Sequence, residues 1–308
     1  MNDGTKRTLA ELVTLHEIEP DLTEVITEGR SDSSLIKWFL RRRGSAAAVY
    51  CVSDRLEVPP SEVRARGQSV GNKGRVVAAA LNISEASTEA SRKISFVYDI
   101  DDDILNGSVQ PETDCLLHTD YRTIELYAFS ASPLDKFLKV ILHADDDVKA
   151  TDVLQSITGP LIGIAFARLL LSRLPEPVAM VDSIEKRCTL KAGSIILDAW
   201  ALIADSINSV RGRRRFVATR ESILAEYDQL KSACTLDPRL VIRGHDFMQI
   251  CCYYLKTRYA SLFREDRIAY KSWVVFEMTL MACLESEDLM TYPLFQTLAQ
   301  RHHAHAST

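Results

Sequence analysis

Two groups of carboxylates carry most of the reactive chemistry in this sequence: Glu28 and Asp32 in TEVITEGRSD, and Asp99, Asp101, Asp102 and Asp103 in ISFVYDIDDDIL. Carboxylates that share a site repel one another unless a cation or a proton compensates them. Hard oxygen donors of this kind suit Mg2+ or Mn2+, which keep several waters and need only a few protein ligands. The reading is that Glu28, Asp99 and Asp101 hold the main ion, Asp32 completes it or holds a second, and Asp103 assists. Lys73, between Gly71 and Gly74 in SVGNKGR, is the first candidate for a cation that stabilises charge on an anionic substrate. Arg30 could serve instead, or pair with Asp32. Against this stand plain alternatives: a solvated strand exit for the aspartates, a turn residue for Glu28 and a solvated loop lysine for Lys73.

The elements that must position these groups read as alternating strands and helices. LTEVIT is a short β-rich run, Gly29 turns the chain, and SDSSLIKWFLRRRG has apolar helix spacing that ends at Gly44. AAAVYCV repeats the strand signal, GNKGRVVAAALNIS opens a second helix, KISFVYDI is a third strand and CLLHT a fourth. Such alternation implies crossover connections and a mainly parallel, Rossmann-like sheet. In a parallel sheet the functional crevice lies at the carboxyl ends of the strands, where Glu28 and Asp99 both fall. Asp32, four residues after Glu28, can face the same crevice if it sits in the first turn of the next helix.

From about residue 133 the pattern turns helical, with helix-like stretches at 150–173, 194–209, 216–232, 245–263 and 272–290. The expectation is an α/β catalytic domain over 1–140 and an all-helical domain over 141–308 for dimer or partner binding. Aromatic residues of this half, Trp200, Tyr253, Tyr254, Trp273 and Phe276, fall at helical spacing among aliphatic neighbours and read as core.

The chain has 308 residues, a net charge of −5 and 46% apolar content, so it can build a full core. Its acidic balance excludes a protein that grips nucleic acid with its whole surface, although three basic patches could do so locally: Arg41 to Arg43, Arg64 with Arg66, and Arg211 with Arg213 to Arg215. The apolar stretches read as too short and interrupted to span a bilayer, and the start lacks a signal peptide's apolar segment, so a cytoplasmic protein with no membrane partner is expected. Seven scattered cysteines without a C-x-x-C pair read as buried thiols, and His302, His303 and His305 as an exposed tail.

A strand ending in Glu28-Gly29, an acid one turn later at Asp32, and a later strand ending in Asp99-Ile100-Asp101 together resemble the TOPRIM domain of topoisomerases, primases and overcoming-lysogenisation-defect (OLD) nucleases. VGNKGRVVAAA, HTDYRTIELYAF and IRGHDFMQIC, in that order, are similar to segments of an OLD-like TOPRIM family that includes AriB, the effector nuclease of the PARIS anti-phage system. The likeness runs to about residue 255. It implies a TOPRIM fold and a divalent-metal-dependent nuclease acting on DNA or RNA, tRNA included. It further implies an ABC-type ATPase partner that holds the nuclease silent, and a homodimer on release. Glu28 would then double as general acid or base, and Glu125 would match the family's glutamate and orient the end of the fourth strand, its plainer role being a structural hydrogen bond. His245 and Asp246 form a His-Asp pair whose plainer reading is helix capping with a partly buried imidazole.

Two other functions compete. One is a catalytically silent scaffold subunit of an ATPase complex. The other is a haloacid-dehalogenase-like phosphatase with Asp99 as nucleophile, disfavoured by Asp103, where that pattern wants Thr or Val. A calcium loop fails at Ile104 and Gln110, and SVGNKGR lacks the spacing of a phosphate-binding P-loop.

Overall fold

The computed structural model describes residues 6–110, 113–210 and 219–303. The chain divides into two compact units, residues 1–124 with 285–308, and residues 125–284. This corrects the expected division into 1–140 and 141–308: the boundary falls earlier, and the last segment folds with the first unit.

The first unit is mixed α/β around a four-stranded, all-parallel sheet. After α1 (Leu9–Ile18) come β1 (Glu24–Thr27), α2 (Arg30–Arg42), β2 (Ala48–Cys51), α3 (Asn72–Ala86), β3 (Ile94–Tyr98) and β4 (Leu116–His118). The strand order is β2-β1-β3-β4. Every residue of β1 and β3 is buried, as expected of central parallel strands covered on both faces. Leu12, Ile26, Val76, Val77, Ile83, Ile94 and Phe96 are fully buried in one core cluster. Each such side chain contributes roughly 1.5–3 kcal/mol by leaving water. Helix α2 packs on β1 and β2, and α3 on β3 and β4. Glu24, buried at the start of β1, is matched by the Arg55 guanidinium, whose Nε donates to it at 3.0 Å.

The return segment explains why residues 285–308 belong here. The helix Pro293–Arg301 buries Phe295 against Phe39 of α2, ring centroids 4.8 Å apart. The Arg301 guanidinium donates to Ser95 Oγ at 3.0 Å and to the carbonyls of Ser91 and Ile94. His302, expected in an exposed tail, is buried and bonded to Ser95 Oγ at 2.9 Å. His303 is exposed, and His305 lies outside the described residues.

The second unit is built on α4 (Ala150–Arg173), which packs against α5 (Ala199–Val210), α6 (Arg220–Ala233) and α7 (Gly244–Arg258). Its 24 residues make it long and apolar enough to cross a membrane by length and composition, which corrects the reading that no stretch is. Within the second unit it is a central helix, with Val153, Ile157, Leu161, Ile164 and Leu171 buried. The unit is also not all-helical. The stretch expected as a helix over 194–209 begins as β6 (Ser194–Leu197), paired antiparallel with β5 (Cys188–Lys191) across a turn with Gly193 at φ 84°. The stretch 272–290 splits into α8 (Trp273–Ala282) in this unit and the short helix Ser286–Leu289 in the first.

Candidate functional site

At the carboxyl end of β1 the chain runs straight into Glu28, then turns at Gly29 into α2. The parallel register sets Thr27 opposite Val97, so Glu28 arrives beside the exit of β3. Its Oε1 accepts the backbone N–H of Asp99 at 2.7 Å, across 71 residues of sequence. Asn72 Nδ2, in the first turn of α3, and the Cys51 thiol both donate to the Glu28 carbonyl. Asp32 caps the turn, accepting the Gly29 N–H at 2.9 Å. Asp99 Oδ1 accepts the Ile124 N–H at 3.1 Å. Asp101 sits at φ 50°, a left-handed conformation that Asp tolerates better than most residues. Its N–H is fixed by the Arg122 carbonyl at 2.8 Å.

Lys73 reaches into this cluster from α3. Its Nζ donates to the carbonyls of Asp99 at 2.7 Å and Ile100 at 3.1 Å, and lies 3.4 Å from Asp101 Oδ2 and 3.0 Å from Asp103 Oδ2. The reading of Lys73 as a solvated loop residue is therefore wrong, and Asp103, expected to assist at the metal, pairs with Lys73. Lysine and aspartates neutralise one another within the protein. Asp102 turns aside to pair with Arg122. Arg30 pairs with Asp54 at 3.1 Å, not with Asp32.

Burial pushes the Glu28 carboxyl up to about 8, opposed by the Asp99 N–H and Lys73 and assisted by the charges of Asp101 and Asp32. These couplings place Glu28, Asp32, Lys73 and Asp101 in one electrostatic neighbourhood. A carboxylate held protonated by burial and by like charges is a donor that a divalent cation would ionise, so the residues fit such an ion by chemistry.

The donor spacing is another matter. Among the described residues, the group of three ligand-type side chains whose donor atoms all lie within 4.8 Å of one another is Glu125, His245 and Glu277, in the second unit. No trio of the described strand-end carboxylates meets that spacing.

The other candidate residues are placed as follows. His245 is exposed, not partly buried, and its Nδ1 lies 3.3 Å from Glu277 Oε2. The Glu277 hydrogen bond holds its imidazole above the ordinary value, with the Glu125 charge adding to the effect. Asp246 is not a helix cap: it is buried and takes both ends of the Arg168 guanidinium, at 2.8 and 2.7 Å. Glu277 had one signal in the sequence, as the lone charge in the apolar run WVVFEMTLMA.

Of the basic patches, Arg41 to Arg43 are exposed at the end of α2, Arg66 is taken by Asn82 and Glu85, and Arg211 and Arg213 to Arg215 lie outside the described residues. A cleft of about 600 Å³ in the first unit is bordered by Lys6, Arg30, Ser33, Lys37, Tyr50, Asp54 and Arg55, with Arg30 paired to Asp54 and Arg55 to Glu24. Phe276 and Tyr254 are core as expected, whereas Trp273 is 39% exposed. Six of the seven cysteines are buried.

No protein-family model and no curated protein matches this chain.

Proposed function

We propose that the first unit is a TOPRIM-type metal centre and that the protein is a nuclease hydrolysing phosphodiester bonds in DNA or RNA with Mg2+ or Mn2+. One observation carries this reading: Glu28 Oε1 meets the Asp99 N–H at 2.7 Å, so two acidic clusters far apart in sequence share one strand end. Glu28, Asp99 and Asp101 would hold the ion, with Asp32 ordering the turn that carries Glu28. When bound, the ion supplies charge neutralisation at the phosphate and acidifies the attacking water. By resemblance to TOPRIM enzymes, Glu28 would also serve as general acid or base, with Oε1 already accepting the Asp99 N–H. Lys73 keeps the Asp99–Asp101 turn closed and supplies positive charge beside it. In the cleft where Arg30 pairs with Asp54, Lys6 and Lys37 offer positive charge to a phosphate backbone.

By resemblance to the OLD-like TOPRIM family, the proposal extends to a cytoplasmic anti-phage effector, silent in complex with an ABC-type ATPase and dimeric on release. The test is cleavage of DNA and RNA substrates with Mg2+ or Mn2+ by wild type, Glu28→Gln and Asp99→Asn. Activity in the wild type and a loss of at least about 100-fold in either variant is the expected result. Equal cleavage by all three proteins would remove the site.

A second reading, a catalytically silent scaffold subunit, is favoured by the Lys73 contacts, which already compensate Asp101 and Asp103 without a metal. Calorimetry separates the two: a scaffold binds no Mg2+ or Mn2+ at the strand ends.

A further inference from the structure

The second unit carries a cluster that the nuclease reading does not use. Glu125 lies on the 3-10 turn Ile124–Ala128, His245 on the first turn of α7, and Glu277 in the middle of α8. Three elements distant in sequence thus converge, with one ligand atom from each inside a 4.8 Å circle. We propose that Glu125, His245 and Glu277 form a binding site for a first-row transition cation, with Zn2+ its best physiological fit.

The donor set argues for this class. One imidazole nitrogen with two carboxylates suits Zn2+, Mn2+ or Fe2+ better than Mg2+, which takes oxygen ligands and waters. Distances agree as well. Two ligands about 2.1 Å from a tetrahedral ion stand about 3.4 Å from each other, and His245 Nδ1 and Glu277 Oε2 are 3.3 Å apart. The third ligand, the Glu125 carboxylate, belongs to a residue only 8% exposed. No lysine or arginine among the described residues pairs with Glu125 or Glu277, so the local compensation for two converging acids is the imidazole. Strand-end aspartates in the first unit, by contrast, have Lys73.

The surroundings fit an occupied site with an open position. Trp273, one helical turn before Glu277, holds the His245 ring edge-on at 5.9 Å and 66°, which limits its rotation. His245 also borders a cleft of about 480 Å³ with Arg243, Gln249 and Lys256. The cleft is also lined by Asp182, Glu185 and Asp246, so three protein ligands leave a fourth position for water. The side chain of His245 is 58% exposed, so an ion can enter without opening the core.

This inference stands apart from the nuclease reading, and the experiment keeps them distinct. The full chain is stripped with chelator and titrated with Zn2+, then with Co2+, followed by calorimetry, visible absorption and quenching of Trp273 emission. All proteins carry His303→Ala and His305→Ala to silence the terminal histidines. In the Glu28→Gln background, which removes a strand-end ligand, one Zn2+ per chain is expected, with Co2+ quenching that disappears in Trp273→Phe. His245→Gln and Glu277→Gln should each weaken binding by more than the ~10–100-fold that loss of an outer partner costs, with unchanged circular dichroism. Glu28→Gln should leave Zn2+ binding intact. Wild-type binding unchanged by His245→Gln, or binding lost with Glu28→Gln instead, would overturn the proposal, as would absence of Zn2+ and Co2+ binding in folded wild type.

Discussion

Glu28 is a glutamate whose own fold opposes its ionisation, and that has a measurable sign. Its carboxyl rises from an ordinary 4.5 to about 8 because it is buried near Asp101 and Asp32, with the Asp99 N–H and Lys73 only partly offsetting this. Between those values the folded protein keeps a proton that the unfolded chain has lost, so metal-free stability falls as pH rises from about 4.5 to about 8. Glutamine cannot ionise. Glu28→Gln is therefore expected to unfold at a higher temperature than wild type near pH 8 in chelator, and to lose that advantage near pH 5, by differential scanning calorimetry; identical differences at both pH values would refute the burial argument. Lys73 supports a second expectation. With its side chain only 22% exposed and lying 3.4 and 3.0 Å from Asp101 and Asp103, it competes with any cation for those oxygens. Removing a partly exposed charge of this kind shifts the balance by about 1 kcal/mol. Mn2+ titration of Lys73→Met should then show affinity raised roughly fivefold, while cleavage falls because the Asp99–Asp101 turn loses its tether. Affinity that stays the same would mean the ion binds elsewhere.

The element that sets Lys73 is the start of α3, and it depends on a glycine for a reason of space. A Cβ on Gly74 would lie 2.0 Å from the backbone oxygen of Ser69, with Val63 and Gln68 also close. Backbone cannot yield as a side-chain tip can, so Gly74→Ala should destabilise the protein by about 1–3 kcal/mol and displace Lys73, measured as a lower urea midpoint together with altered Mn2+ binding. A midpoint equal to wild type would show that the loop before α3 moves aside at no cost. Much of the surrounding architecture was legible because its signals are local. Apolar runs bounded by Gly29, Gly44 and the loop at Gly71 mark β1, α2, β2 and α3, and the placement of acids at strand ends follows from parallel pairing. Other parts were not legible. Ser194–Leu197 reads as helix by apolar content, yet Ile195 and Ile196 favour a strand once Gly193 supplies the hairpin turn. Lys73 was placed near the acids, but its role as their internal countercharge needs the third dimension. The convergence of Glu125, His245 and Glu277 spans 152 residues (277 − 125), and no spacing rule reaches that far.

At the scale of the molecule, the last segment fastens the first unit through buried groups that cannot carry a proton cheaply. His302 is 2% exposed, bonded through Nε2 to Ser95 Oγ on β3, and burial with the adjacent Arg301 charge lowers its imidazole from 6.5 to about 4. His16, also buried and bonded to the Leu22 carbonyl, is lowered to about 4, mainly by burial. The unfolded chain takes up protons at both below 6.5 while the folded chain refuses them until about 4. Stability is thus fully present above pH 6.5 and is lost as pH falls through that window. For His302 alone the shift corresponds to at most about 3 kcal/mol. Glu28 works in the opposite direction, so the two slopes oppose between about pH 4.5 and 6.5, and above it Glu28 is joined by His245, whose imidazole the Glu277 hydrogen bond holds above the ordinary value. This makes a difference measurement decisive. His302→Gln, which can keep a hydrogen bond to Ser95 but cannot ionise, should lose less stability than wild type between about pH 6.5 and pH 4.5 by urea unfolding. Above pH 7 the variant should match wild type or fall below it. A constant difference across the range would mean that the C-terminal segment is held by Phe295 and Arg301 alone, and that acid opens the first unit at another place.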